Sequence, residues 1–107
     1  HTACALLHST NFDPGGFSEY VRIPKINIEK EGVIVLDRSV SYDEAVLIEP
    51  FGCVCRAQRL ANVGKGLTVL ILGSGVSGIL HIQLAKLRGV AKVFATDINE
   101  YRLKMAK

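Results

Sequence analysis

Thr68-Val69-Leu70-Ile71-Leu72-Gly73-Ser74-Gly75-Val76-Ser77-Gly78 is the stretch whose reading decides the fold. Val69 to Leu72 is continuously apolar, the pattern of a strand buried on both faces of a parallel sheet. The glycines after it have separate tasks. Gly73 permits the tight turn out of the strand, Gly75 removes the Cβ that would block a pyrophosphate, and Gly78 lets a helix sit close to the sheet. From Val76 to Arg88 the apolar residues Val76, Ile79, Leu80, Ile82, Leu84, Ala85 and Leu87 cover most of a helix surface, and Gly89 is placed to cap its end. Val93-Phe94-Ala95 predicts a second strand, and Asp97 stands at its end, about 20 residues beyond the loop, where an acid can accept ribose hydroxyls. Phosphates would rest on the helix N-terminus, whose free N–H groups and dipole favour an anion without a basic side chain. The bland alternative is a structural glycine turn with Asp97 merely capping the next helix. It leaves unexplained why strand, loop, helix, strand and acid agree.

The chain has 107 residues, enough for one domain, and 49% of them are hydrophobic, so disorder is not expected. Its net charge of +3 is scattered, without the basic run or stripe that tracks a nucleic-acid backbone. No apolar stretch approaches the roughly 18 residues of a membrane span, and nothing resembles a signal peptide. Three cysteines, an odd number, predict a reducing, cytoplasmic compartment rather than a disulfide framework. The chain begins at His1 and stops at Lys107, inside a helix expected to start near Asn99, and a doubly wound sheet needs more strands than two. A piece of a longer protein is expected.

Upstream of the loop, Cys4 and His8 could share a helix face, but two ligands do not close a zinc site. Asp13-Pro14-Gly15-Gly16 predicts a turn. Phe17, Val21 and Ile23 alternate with polar residues as in a half-buried strand, Ile26 and Ile28 alternate again, and Val33 to Leu36 is a further apolar run. This third of the chain reads as β-rich. Ser41 and Glu44 form a capping box that opens a short helix ending near Ile48. Pro50 then starts a second helix, expected to reach about Asn62 with Gly64 closing it. Glu49 is stranded at the break among apolar neighbours, either a functional carboxylate or a surface acid at a helix N-terminus. Cys53 and Cys55, two apart, point in different directions on a helix and read as buried small residues. His81, among Leu80, Ile82 and Leu84, reads as a packed histidine. A Gly-Lys-Ser/Thr loop is missing, which excludes a P-loop ATPase.

With these residues in hand, the chain resembles part of a zinc-dependent medium-chain alcohol dehydrogenase of the polyol (sorbitol or iditol) and threonine dehydrogenase branch. Gly15-Gly16-Phe17-Ser18-Glu19-Tyr20-Val21 is similar to that family's Gly-Gly-aromatic-x-Glu-Tyr strand. Leu47-Ile48-Glu49-Pro50 resembles the Glu-Pro between its domains, and Gly73, Gly75, Gly78, Asp97 and Arg102 fall where it holds pyrophosphate and adenosine ribose. The resemblance implies an α/β fold: residues 49–107 as the first half of a Rossmann doubly wound parallel sheet, preceded in 1–48 by the β-rich end of a GroES-like catalytic domain. It also implies NAD on Gly73, Ser74, Gly75, Val76, Gly78, Asp97 and Arg102, and hydride transfer from a secondary alcohol. Glu49 would lie at the catalytic zinc of a homo-oligomeric parent. Cys4 looks like the last of the structural-zinc cysteines, its partners missing, and the other catalytic-zinc ligands belong upstream. The chain alone should then be catalytically silent, hold no stoichiometric catalytic zinc, and bind NAD weakly if at all. The competing reading from another class is a stand-alone nucleotide-binding module without alcohol chemistry; a third is a piece that only folds and associates.

Overall fold

The computed structural model describes Ala5 and residues 13–107. The chain divides into two compact units, 1–39 and 40–107.

In the first unit, residues 13–39 contain a helix, α1 (Lys25–Glu29), and an isolated antiparallel bridge between Asp13 and Arg22. The alternation of Phe17 to Ile23 therefore yields a bridge rather than a strand, and Val33 to Leu36 forms none. Alternation marks a chain that fits a pleated surface, but a strand also needs a neighbour for its backbone groups, and two lone strands are marginal at best. Ile26 and Ile28 lie in α1. Pro24, at φ −57°, precedes the helix, and Lys25 pairs with Glu29 at 3.1 Å in the i,i+4 geometry that supports a helix.

The second unit opens on α2 (Tyr42–Ala45). Ser41 Oγ accepts from the Glu44 N–H at 3.3 Å and Glu44 Oε2 accepts from the Ser41 N–H at 2.9 Å, the reciprocal capping box expected. The Ser41 hydroxyl, donating to Glu44 Oε2 at 2.7 Å, and then the Ser41 N–H hold the Glu44 carboxyl below its ordinary value. After a turn at Val46 and Leu47 comes α3 (Ile48–Leu60). Its first backbone bond runs from the Phe51 N–H to the Leu47 oxygen, 2.9 Å, so the N–H that Pro50 lacks falls among those a helix leaves unpaired in any case. The helix closes at Asn62, not at Gly64. Asn62 takes φ +51°, the Val63 N–H reaches Gln58 O at 2.9 Å and the Asn62 N–H reaches Arg59 O at 3.2 Å, a Schellman closure.

Strand β1 (Thr68–Leu72), helix α4 (Val76–Leu87) and strand β2 (Lys92–Thr96) make the βαβ unit, followed by α5 (Glu100–Met105). The strands pair in parallel, Thr68 opposite Lys92 through Leu72 opposite Thr96. Gly89, at φ +73°, closes α4 as expected. The core lies between α3 and α4, where Val54, Leu80 and Leu84 pack with Phe51 and Cys55. Each fully buried aliphatic side chain of this kind contributes about 1.5–3 kcal/mol. The sheet is covered on one face only. Ile71 is buried and Val69 partly so, while Leu70, Leu72 and Phe94 on the other face are 60%, 78% and 55% exposed. Burial on both faces, expected for β1, is not met among the described residues. No helix among them is long and apolar enough to cross a membrane.

Candidate nucleotide-binding site

The candidate site is built where β1 and β2 end together. The ladder extends one step past β1, the Gly73 N–H donating to Thr96 O at 2.8 Å. Gly73 then turns the chain at φ +96°, a conformation a side chain would strain. A Cβ on Gly78 would fall onto the Gly73 carbonyl oxygen, with the carbonyl carbon 2.9 Å away, so only glycine lets α4 approach the strand this closely. Gly75 is different. It is the N-cap of α4, with no side-chain cap bond, and a Cβ built there meets nothing within 4 Å. The first backbone bond of α4 runs from the Ile79 N–H to Gly75 O, 2.9 Å, which places the N–H groups of Val76, Ser77 and Gly78 ahead of the helical ladder. The end of β1, this loop and His81 line a cleft of about 430 Å³. A larger one, about 560 Å³ between α4, β2 and α5, touches none of the loop residues.

Asp97 ties the two strand ends together. Its Oδ2 accepts from the Ser74 N–H at 2.8 Å and its Oδ1 from the Asn99 N–H at 2.8 Å. The fully buried Ser74 donates its hydroxyl to Thr96 O at 3.2 Å. The Asp97 side chain is 5% exposed, and Arg102 Nη1 stands 4.0 Å from it. The Ser74 and Asn99 N–H groups hold its carboxyl below the usual range, with Arg102 adding a smaller pull and burial opposing. The carboxylate thus clamps the glycine loop onto the strand ends. The Ser74–Asp97 bond spans 23 residues and has no local signature. The pieces around it do: Asn99, with its Oδ1 accepting from Tyr101 N–H at 2.9 Å, is a conventional N-cap for α5. The open Gly75 position, the uncapped α4 N-terminus and the adjacent acid together fit a dinucleotide's pyrophosphate and ribose.

No family model matches the chain. Among curated proteins it is 36% identical over 93 residues to L-threonine 3-dehydrogenase of Francisella tularensis subsp. novicida and 37% identical over 93 residues to that of Burkholderia mallei, in each case across 87% of this chain and 25% of the relative. Among solved structures, galactitol-1-phosphate dehydrogenase from Escherichia coli superposes with a TM-score of 0.69 at 32% identity, over 86% of this chain and 25% of that one. A putative zinc-binding dehydrogenase from Clostridium scindens gives a TM-score of 0.55 at 32% identity, over 56% and 17%. Over this stretch the matches support the zinc-dependent medium-chain dehydrogenase family. The chain spans about a quarter of the length of the curated relatives it matches, 25%.

The metal-directed residues are less assembled than the glycine loop. Glu49 is exposed in the first turn of α3, and one turn on Cys53 donates its thiol to Glu49 Oε1 at 3.5 Å. That carboxylate, by hydrogen bond and by charge, pushes the Cys53 thiol up. Cys53 is exposed, not the buried small residue the sequence suggested; Cys55, partly buried against the core, comes closer to that reading. Among the described residues no three His, Cys, Asp or Glu side chains are placed to share a metal ion, so these residues alone do not build a zinc site. Cys4 lies outside the described residues. His81 is half-buried on α4 and paired with Gln58 of α3, a contact the sequence reading missed.

Proposed function

We propose that this segment carries the adenosine and pyrophosphate half of the NAD site in a zinc-dependent dehydrogenase that oxidises a secondary alcohol of the polyol or threonine type. The observation that carries the reading is Asp97, held at the end of β2 against the glycine loop with an open Gly75 beside it. NAD, when bound, supplies the hydride acceptor. The chain's own residues orient it: the α4 N-terminus receives the pyrophosphate through Gly73, Ser74, Gly75, Val76 and Gly78, and Asp97 accepts the ribose hydroxyls, with Arg102 alongside. A carboxylate in that place repels a 2′-phosphate, so NAD is preferred over NADP. In this reading residues 1–48 close a GroES-like catalytic domain and 49–107 open the Rossmann domain. Glu49, at the junction, serves the catalytic zinc of a homo-oligomeric, cytoplasmic enzyme whose other ligands lie in the rest of the protein.

Titration of the ¹⁵N-labelled chain with NAD, NADP and ADP-ribose tests it. Millimolar NAD and ADP-ribose should shift the amides of residues 73–79 and 97–102, NADP should do so more weakly, and Asp97→Ala should erase the difference between NAD and NADP. Absence of any shift at the loop, or an Asp97→Ala chain that still discriminates, would overturn the reading.

A further inference from the structure

Gln58 is 3% exposed and reaches from α3 to α4, its Nε2 2.8 Å from His81 O and 3.2 Å from His81 Nδ1. An amide oxygen 2.8 Å from a carbonyl oxygen would be repelled, so the nitrogen must occupy that place, which fixes the side-chain orientation. The NH2 group only donates, and its two hydrogens serve the two acceptors. Nδ1 of His81 is then an acceptor, and the proton of the neutral ring sits on Nε2. Gln58 Oε1 is buried without a hydrogen-bond partner among the described residues, an unfavourable placement that accompanies the two contacts of the NH2 group.

His81 stands three residues beyond Gly78 and lines the glycine-loop cleft as well as a neighbouring one of about 320 Å³ at the free edge of β1. Among the described residues the glycine-loop cleft is lined by no Lys or Arg, and Ser77 and His81 are the polar side chains on it. Building on the nucleotide reading above, we infer that His81 donates its Nε2–H to the phosphate oxygens of the bound dinucleotide, and that Gln58 is the positioning residue that selects this tautomer. A neutral imidazole donor would supplement the backbone N–H groups without placing a permanent charge beside the helix.

The test uses long-range ¹H–¹⁵N spectra of the His81 ring in the full chain, with NAD and inorganic pyrophosphate as probes. The free chain should show the Nε2–H tautomer, and both probes should move Nε2 while Nδ1 stays an acceptor. His81→Phe should weaken NAD by about tenfold and keep the shifts around Asp97. Gln58→Leu should mix the tautomers and weaken NAD by about threefold; Gln58→Met does the same if the leucine variant fails to fold. An Nδ1–H tautomer in the free chain overturns the inference. So does NAD that shifts the loop but leaves the His81 ring and the His81→Phe affinity unchanged, an outcome that spares the nucleotide reading. NAD that shifts nothing overturns both.

Discussion

At the residue scale the site depends on Asp97, whose effect is readable as pH dependence. Two backbone N–H donors favour its ionised form in the folded chain, so the folded carboxyl lies below its ordinary value of about 4. The stability this contributes is complete above the unfolded value and is lost as pH falls through the lowered folded one. Asp97→Asn should therefore unfold at lower urea than the wild type at pH 7, with the gap closing as the solution is taken below about pH 4. A gap that stays constant down to pH 2 would mean that the carboxylate charge contributes nothing to holding the loop. The sequence placed Asp97 beside the loop by counting residues, and could not show that its first partner is the Ser74 backbone, because a bond across 23 residues exists only once the strands are in register.

At the scale of elements, α2, α3, α4, β1 and β2 were legible because their signals are local: a capping box, a proline in a first turn, a glycine loop, a helical apolar surface. The strands expected in the first unit were not, since a strand's existence depends on a partner that periodicity does not name. The end of α3 shows a finer limit. Gly64 was the expected stop, yet Asn62 takes the left-handed turn two residues earlier, as asparagine can when its neighbours complete the Schellman bonds. Asn62→Gly should leave thermal stability nearly unchanged, while Asn62→Ala should cost about 1 kcal/mol through the strained φ. Equal melting temperatures for the two variants would show that the backbone at 62 relaxes and that Gly64 can close the helix after all.

At the scale of the whole molecule, the bare face of the sheet is the dominant physical fact about the 40–107 unit. Leu70 lies opposite Phe94 in the strand register, and with Leu72 they form one apolar patch on the side away from α4. Parallel sheets of the doubly wound kind carry helices on both faces, and among the described residues this face carries none. A contiguous apolar patch of this sort drives association. The isolated chain should sediment as dimers or larger species at concentrations of roughly 10–100 μM, a range in which burying a few large apolar side chains is enough to shift the equilibrium. The double variant Leu70→Lys, Phe94→Lys should be monomeric over the same range. Its fold should persist, because both side chains point away from the α3–α4 core, and unchanged amide shifts at Val54, Leu80 and Leu84 would report that. A wild-type chain that stays monomeric at 100 μM, or a lysine variant that associates as strongly, would place the sticky surface elsewhere and leave the exposed sheet face without the consequence argued for it.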